Sequence, residues 1–206
     1  MGLKSAEGLR AFCIELSDDK PTPGGGAAAA AAGAMGASLL VMVCALTRNK
    51  QRYEANWPEL GEIQAELAGL RDSLLILTSK DAESYDKVLE AIRRRKTDPS
   101  EESGKAYDVA VREATEVPRR TGAASLRVLE LAVRVAALGS RSAASDTGVG
   151  IRLAEVGVRG AAMNILINLK DSDDPGYIRE VGEELMARGE RASDLMKESL
   201  AILDRP

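Results

Sequence analysis

An uncharged stretch of twenty residues, 27–46, constrains the fold of this chain more than any other feature. It reads AAAAAAGAMGASLLVMVCAL, so its first half carries almost only Ala and Gly. Alanine favours helix, and a helix that is apolar on every side belongs inside a protein core. The stretch is also long enough to span a bilayer, but Ala and Gly supply little of the transfer free energy that insertion requires. We therefore predict a buried helix at the centre of a larger core.

Small side chains make this helix thin, and a second thin helix face recurs later in the chain. The first face contains Ala29, Gly33, Gly36 and Ala37, and the second lies within 157–168. Such faces allow two backbones to approach closely. Three uses remain open: a close crossing within one subunit, a crossing between two subunits, or a slot for a flat ligand.

The remaining pattern is helical throughout. Only 3% of the residues are aromatic, so the core must consist mainly of Leu, Ile, Val, Met and Ala, a composition that favours helix packed on helix. We predict an all-α fold, an antiparallel bundle with one long helix, forming a single domain over 1–206. The expected helices are 5–16, 24–47, a long helix from 58 to the break at 98–100, 101–116, 118–138, one that follows a Ser- and Gly-rich loop over 139–150 and ends at 169, and 174–203. In the first helix, Leu9, Phe12, Cys13 and Leu16 share one face, which we expect to be buried.

The long third helix carries the clearest periodicity in the chain. Apolar residues alternate steps of three and four, which is the heptad pattern of near-parallel helix packing. They are Leu60, Ile63, Leu67, Leu70, Leu74 and Leu77. The next step falls on Asp81. Either the stripe shifts and Asp81 reaches solvent, or a carboxylate is held in a helix interface, where it would need a partner.

The residue inventory limits the chemistry. The chain has no histidine, which removes the commonest general base and the most frequent transition-metal ligand. Cys13 and Cys44 form no CxxC pair and lie in apolar helical patterns, so we expect buried, reduced thiols, no metal site and a cytoplasmic setting. No signal peptide is apparent. The net charge of −4 gives no general attraction to nucleic acid.

Two local features could bind a ligand or could be structural only. The triple glycine 24–26 opens a helix, where free backbone N–H groups can face an anion, but it lacks the lysine of a phosphate-binding loop and could be a tight turn. Arg48, Lys50 and Arg52 follow the end of the same helix. Cations are favourable there, and a solvated helix end is the other reading.

Three segments together closely resemble the formiminotransferase-cyclodeaminase C-terminal family, which includes stand-alone methenyltetrahydrofolate cyclohydrolases. The most specific is PTPGGGAAAAAAGAMGASLLVMVCALTRNKQRY. The second is SDTGVGIRLAEVGVRGAAMNILINL, and the third, weaker one is DAESYDKVLEA. The resemblance covers nearly the whole chain in the expected order. The chain departs from it at Asn49 and Ser140, where the family often has Gly and Asn.

The resemblance implies a helical bundle that forms a homodimer, with folate sites near the subunit contact and chemistry on the one-carbon bridge of tetrahydrofolate. The matching positions are Gly24, Gly25, Gly26, Lys50, Asp81, Asp146 and Asn164. The implied partner is a folate derivative, with or without a polyglutamate tail. No cofactor beyond this substrate, no metal, no nucleic acid and no membrane is expected.

A mechanism can be assigned to these positions. We expect Lys50 to be the principal proton-transfer residue, and Asp81 to orient it and to offset the substrate cation. The glycine turn could receive a carboxylate of the glutamate tail, and Asn164 could bind the substrate or the attacking water. Asp146 binds the amino face of the pterin or caps its own helix.

Hydrolysis of 5,10-methenyltetrahydrofolate to 10-formyltetrahydrofolate is the expected reaction. The alternative reaction is that of a formiminotetrahydrofolate cyclodeaminase, which closes the same bridge and releases ammonia. The expectation favours the hydrolase because no formiminotransferase domain is fused to this chain. A catalytically silent helical dimer that binds or scaffolds is a third reading.

Overall fold

The fold is an antiparallel bundle of α-helices, and the prediction of an all-α architecture with one long helix is confirmed. The computed structural model describes residues 4–205. The α-helices of this part of the chain are α1 (Lys4–Leu16), α2 (Gly25–Arg48), α3 (Trp57–Thr97), α4 (Glu101–Leu138), α5 (Ala144–Leu169) and α6 (Pro175–Leu203). Two short 3-10 turns, Gln51–Asn56 and Arg141–Ala143, precede α3 and α5.

Helix α2 lies at the centre, packed along α3, α4 and α5. It is the one helix of the described residues that is long and apolar enough to cross a membrane, with a mean hydropathy of 2.1 in its most apolar window. More than half of that window, 56%, is buried by the rest of the protein, as expected for a core helix.

The small residues of α2 and α5 are used for a close crossing within the subunit. A Cβ atom added to Gly36 would lie 2.7 Å from the carbonyl oxygen of Gly150, and one added to Gly160 would lie 2.7 Å from the Cβ of Ala29. Neither position therefore tolerates a larger side chain without separating the two helices. This observation explains the thinness of α2.

The heptad stripe of α3 is confirmed as its inner face. Leu60, Ile63, Leu67, Leu74 and Leu77 are buried, and Leu70 packs against the same core. With 41 residues α3 is about 60 Å long. Its last turns and the first turns of α4 form a hairpin that extends beyond the start of α2.

Helix α4 differs from its prediction, because Pro118 lies inside one continuous helix and does not separate two. A proline lacks the N–H that would bond the carbonyl of the residue four positions earlier, here Ala114. The side chain of Asn168 on α5 supplies that missing donor, since its Nδ2 lies 3.1 Å from the Ala114 oxygen. A tertiary contact thus compensates for the interruption.

Helix α1 also differs from its prediction. Its expected inner face is largely exposed, including Leu9 and Cys13, while Phe12 is half-buried against α2 and α3. The expectation of a buried Cys13 is therefore wrong. Cys44 is buried as predicted, and burial raises the pKa of its thiol to about 11, which keeps it protonated.

Candidate active site

A pocket of about 340 Å³ opens where α2 begins, and we call this the glycine end of the bundle. Gly24 and Gly25, Asp81 of α3, and Asn164 and Asn168 of α5 form its polar wall. Its apolar wall is formed by Val88, Leu89, Ile92 and Ile167. The structure thus brings together four of the sequence-predicted site residues, with Gly26 directly behind them.

Asp81 is the half-buried carboxylate at the centre of this pocket. Its Oδ2 accepts a hydrogen bond of 3.0 Å from the backbone N–H of Ala27, one of the free N–H groups in the first turn of α2. Burial raises the pKa of Asp81, and the bond from Ala27 partly opposes that shift. No Lys or Arg side chain pairs with Asp81 among residues 6–205, and the causes of its pKa shift include no cation. Of the two alternatives for this position, the carboxylate held between helices is the observed one.

Two asparagines, one turn apart on α5, stand beside Asp81. The Nδ2 of Asn164 donates to the backbone oxygen of Gly160 at 2.8 Å, and the Nδ2 of Asn168 donates to that of Ala114 at 3.1 Å. Asp171 lines the outer part of the same pocket. No Lys or Arg of the described chain lines the pocket.

Lys50 lies at the other end of α2, which we call the lysine end. Its Nζ donates to the Oγ of Ser140 at 2.8 Å and to that of Ser142 at 2.6 Å. Ser140 is itself held by Thr47, whose Oγ1 accepts from the Ser140 backbone N–H at 2.9 Å. Beside them, Tyr53 accepts from the backbone N–H of Arg141 at 3.2 Å, and this bond lowers the pKa of the phenol.

Asp146 is also at the lysine end, in the first turn of α5, where the helix dipole favours a carboxylate. The N-cap residue of α5 is Ala143, and no side chain caps this helix. Asp146 is therefore not the N-cap residue of α5, although its charge is favourable at this end of the helix. The predicted loop 139–150 is also shorter than expected, because α5 begins at Ala144.

The expected meeting of Lys50 and Asp81 does not occur within one chain. Asp81 contacts the first turn of α2 and Lys50 follows its last turn. A helix of 24 residues separates its ends by about 36 Å. Since Asp81 lies against the start of α2 and Lys50 follows its end, no side-chain movement can join them inside one subunit.

A known protein family matches the part of the chain that contains both ends of α2. A family model described as formiminotransferase-cyclodeaminase matches residues 8–187, a range that includes every sequence-predicted site residue. This chain belongs to the formiminotransferase-cyclodeaminase family. Individual relatives divide between two activities.

One relative is the methenyltetrahydrofolate cyclohydrolase of Methylorubrum extorquens, 36% identical over 181 residues, with 87% of each chain covered. Another is the formimidoyltransferase-cyclodeaminase of Mus musculus, 32% identical over 168 residues, which are 81% of this chain and 31% of that protein. The chain thus spans about a third of the mouse protein. The crystal structure of a formiminotetrahydrofolate cyclodeaminase from Thermotoga maritima superposes with a TM-score of 0.87 at 30% identity, covering 95% of each chain.

In this member of the formiminotransferase-cyclodeaminase family, sequence reasoning missed several residues of the two clusters. Asn168 and Asp171 line the glycine-end pocket, and Ser140 and Ser142 hold Lys50. Helical spacing placed Asn168 on the face of Asn164, which was the available signal. The two serines lie about 90 residues from Lys50, so only the folded chain shows the contact.

Gly26 provides a matched test of the pocket geometry. A Cβ atom added there would overlap the Asp81 carboxylate, whereas one added to Gly25 would meet Asn164 at 3.7 Å, an ordinary contact. We expect Gly26→Ala to displace Asp81 and to lower kcat/KM on the order of 100-fold, since small misplacements at a reacting centre cost this much. Steady-state kinetics check this beside Gly69→Ala on α3, where an added Cβ atom meets nothing within 4 Å and activity should stay within about threefold. Equal losses in both variants would contradict the geometry.

Proposed function

We propose that this chain is a folate one-carbon enzyme that hydrolyses 5,10-methenyltetrahydrofolate to 10-formyltetrahydrofolate. The observation that carries the proposal is the Asp81 carboxylate, which lies half-buried in a pocket without a cationic partner. Such a group fits a substrate that brings its own positive charge, as the methenyl bridge does. The 36% identity to a cyclohydrolase over most of both chains supports the same reaction and favours an enzyme over a silent scaffold.

The proposed mechanism needs one amine and one carboxylate. Asp81 offsets the charge of the bridge between the two folate nitrogens and holds the Lys50 amine. Lys50 takes a proton from water as the water oxygen bonds the bridge carbon, and it returns a proton to the ring nitrogen as the carbon–nitrogen bond breaks. The hydroxyl of the adduct loses its remaining proton to solvent as the formyl C=O forms, so the products are 10-formyltetrahydrofolate and one released proton. The proposal involves no metal and no cofactor beyond the folate substrate.

A second copy of the chain must supply Lys50 to the Asp81 pocket, and we propose a homodimer for this reason. An antiparallel pairing of two α2 helices about a two-fold axis brings the lysine end of one copy to the glycine end of the other. The outer face of α2 is suited to this pairing. Met35, Met42 and Leu46 are 43%, 38% and 43% exposed on a helix with no charge before its last residue.

The homodimer predicts a specific effect at Met35. Met35→Asp places a charge in the proposed contact, so we expect a monomer by light scattering and a fall in kcat/KM of about 100-fold or more, because the site would lose Lys50. Met186→Asp is the matched control. Met186 is also a methionine and is more exposed than Met35, at 69% on α6, and its replacement should leave dimer and activity unchanged. A fully active Met35→Asp monomer would reject the shared site.

The cyclodeaminase is a second candidate, favoured by the TM-score of 0.87 with the Thermotoga maritima structure. A paired assay decides between the reactions. Purified protein is mixed with methenyltetrahydrofolate and the loss of the methenyl chromophore is followed, with Lys50→Met as control. Faster turnover of formiminotetrahydrofolate than of methenyltetrahydrofolate, with release of ammonia, would assign the cyclodeaminase reaction to this chain. No turnover of either folate would reject both.

The setting of the enzyme follows from its proposed substrate. We propose a cytoplasmic protein that acts on a small folate and on neither nucleic acid nor membrane. The net charge of −4 and the exposed, unpaired thiol of Cys13 are consistent with this setting.

A further inference from the structure

A side chain of the pocket replaces the hydrogen bond that Pro118 removes from α4. Because Pro118 has no N–H, the Ala114 carbonyl lacks its partner within the helix. The Nδ2 of Asn168 lies 3.1 Å from that carbonyl oxygen and replaces the partner. Ala114 and Asn168 both line the glycine-end pocket. The hydrogen bond that repairs α4 therefore also holds Asn168 in the pocket wall.

This contact fixes the orientation of the Asn168 amide. A carbonyl oxygen can only accept, so the atom of Asn168 that faces Ala114 must be the NH2 group. The Oδ1 of Asn168 is then left as an acceptor with no donor contacting it among the described residues. Asn164 is oriented in the same way by the Gly160 carbonyl, at 2.8 Å.

The amide oxygens and carboxylates of the pocket are acceptors. The hydroxyls of Thr22, Ser84 and Tyr85 also line it, and that of Ser84 already donates to the backbone oxygen of Asp81. Two amide oxygens, one turn apart, stand beside the carboxylates of Asp81 and Asp171, and no Lys or Arg of the described residues lines the cavity. The aliphatic side chains of Val88, Leu89, Ile92 and Ile167 supply the apolar part of the lining. Such a lining suits a ligand that is apolar over part of its surface and presents N–H donors to the two amide oxygens.

We propose that this pocket binds the 2-amino-4-oxopyrimidine edge of the reduced pterin, with Asn164 and Asn168 accepting from its ring N–H and amino groups. The inference rests on the proposed function and deepens it. Pro118 acts as a positioning residue, because it keeps the Ala114 carbonyl free to hold Asn168. The assignment gives the amino face of the pterin to Asn164 and Asn168, and leaves Asp146, in the first turn of α5, outside the pterin contacts.

The carboxylates of the pocket also determine which end of the folate enters it. The glycine turn lies directly against the Asp81 carboxylate, so a glutamate carboxylate placed there would meet like charge. The expectation that this turn receives the glutamate tail is therefore not part of the proposal. The tail points out of the pocket, towards the cation Arg52 of the second copy.

Fragment binding tests the assignment without requiring turnover. The full chain is titrated by calorimetry with 6-methyltetrahydropterin, with its 2-oxo counterpart and with p-aminobenzoylglutamate. We expect the pterin to bind about tenfold or more tightly than the 2-oxo compound, which presents an acceptor where the pterin presents a donor. Asn168→Leu should abolish this preference. Equal binding of the two pteridines, or tightest binding of p-aminobenzoylglutamate, would overturn the assignment.

Pro118→Ala tests the positioning role by repairing the helix. The new backbone N–H competes for the Ala114 carbonyl and releases Asn168, so KM for methenyltetrahydrofolate should rise about fivefold to tenfold while kcat stays within about twofold. The thermal midpoint should stay equal or rise, since alanine favours helix. Combined with Asn168→Leu, the substitution should add no further loss. An unchanged KM in Pro118→Ala would overturn the positioning role.

The failures of the two proposals are distinguishable. A wild-type protein that prefers the pterin over its 2-oxo counterpart but turns over no folate refutes the proposed function and leaves the pocket assignment standing. A wild-type enzyme that turns over methenyltetrahydrofolate but shows no such preference retains its function and refutes the assignment.

Discussion

Asp81→Asn is expected to lower kcat for methenyltetrahydrofolate on the order of 10²–10⁴-fold, the usual range for a group that takes part in proton transfer. Asparagine keeps the shape of the side chain and can still accept the bond from the Ala27 N–H. It loses the negative charge that offsets the substrate cation and holds Lys50. Rapid-mixing measurement of methenyl absorbance gives the chemical step directly.

The same substitution should make the protein more stable at neutral pH. Burial raises the pKa of Asp81 above its ordinary value of 3.8, so the folded state disfavours the charged carboxylate. Asparagine removes this cost wherever the carboxylate would be ionised. The gain should therefore be present at neutral pH and vanish as the pH falls towards 3.8, which urea unfolding at two pH values would measure.

Asp72→Asn on the same helix is the matched control. Asp72 is exposed and its hydrogen bond with Arg71 lowers its pKa, so the change in stability should have the opposite sign and activity should be unaffected. If Asp81→Asn retained activity within tenfold of wild type, Asp81 would not take part in the reaction. If it lost stability at neutral pH, burial would not be the cause of its raised pKa.

Periodicity predicted the helices that pack through regular patterns. The heptad stripe of α3 identified the buried residues from Leu60 to Leu77, and the small residues of α2 identified a close crossing. Both patterns depend on local spacing, which the sequence displays directly. The spacing of Gly36 could not show that its partner is Gly150, because that pairing depends on the register of two helices.

The errors have particular physical causes. Pro118 was expected to separate two helices because proline removes a backbone donor, and the replacement donor, Asn168, lies 50 residues away on another helix. The inner face predicted for α1 has no core to cover in one subunit, so Leu9 remains exposed. The local sequence pattern shows neither the donor that Asn168 supplies nor the absence of a core beside α1.

The site was predicted in its parts but not in its assembly. Motif positions named Asp81, Asn164 and the glycine turn as site residues without placing them side by side, and the fold brings them to one pocket. They also placed Lys50 with Asp81, although the fold sets the two at opposite ends of α2. A sequence motif does not show which copy of a chain supplies each residue. From the sequence alone, a site shared between subunits cannot be distinguished from a site within one chain.

A purified heterodimer is expected to recover activity from two inactive parents. One copy carries Lys50→Met and the other carries Asp81→Asn, and each parent homodimer lacks one essential group in both of its sites. In the heterodimer, the intact Lys50 of one copy meets the intact Asp81 of the other. One of the two sites is then complete, so activity should be about half of wild type.

The experiment requires co-expression with two different tags, sequential affinity purification and the methenyl absorbance assay. A double variant paired with a wild-type copy is the informative control. In that heterodimer each site lacks one group, so it should be inactive if the site is shared, and about half active if each site lies within one chain.

The activity of the Lys50→Met and Asp81→Asn heterodimer thus tests the central claim most directly. Recovery to about half of wild type, far above either parent, is the result that a site shared between two copies predicts. A heterodimer as inactive as its parents would contradict it.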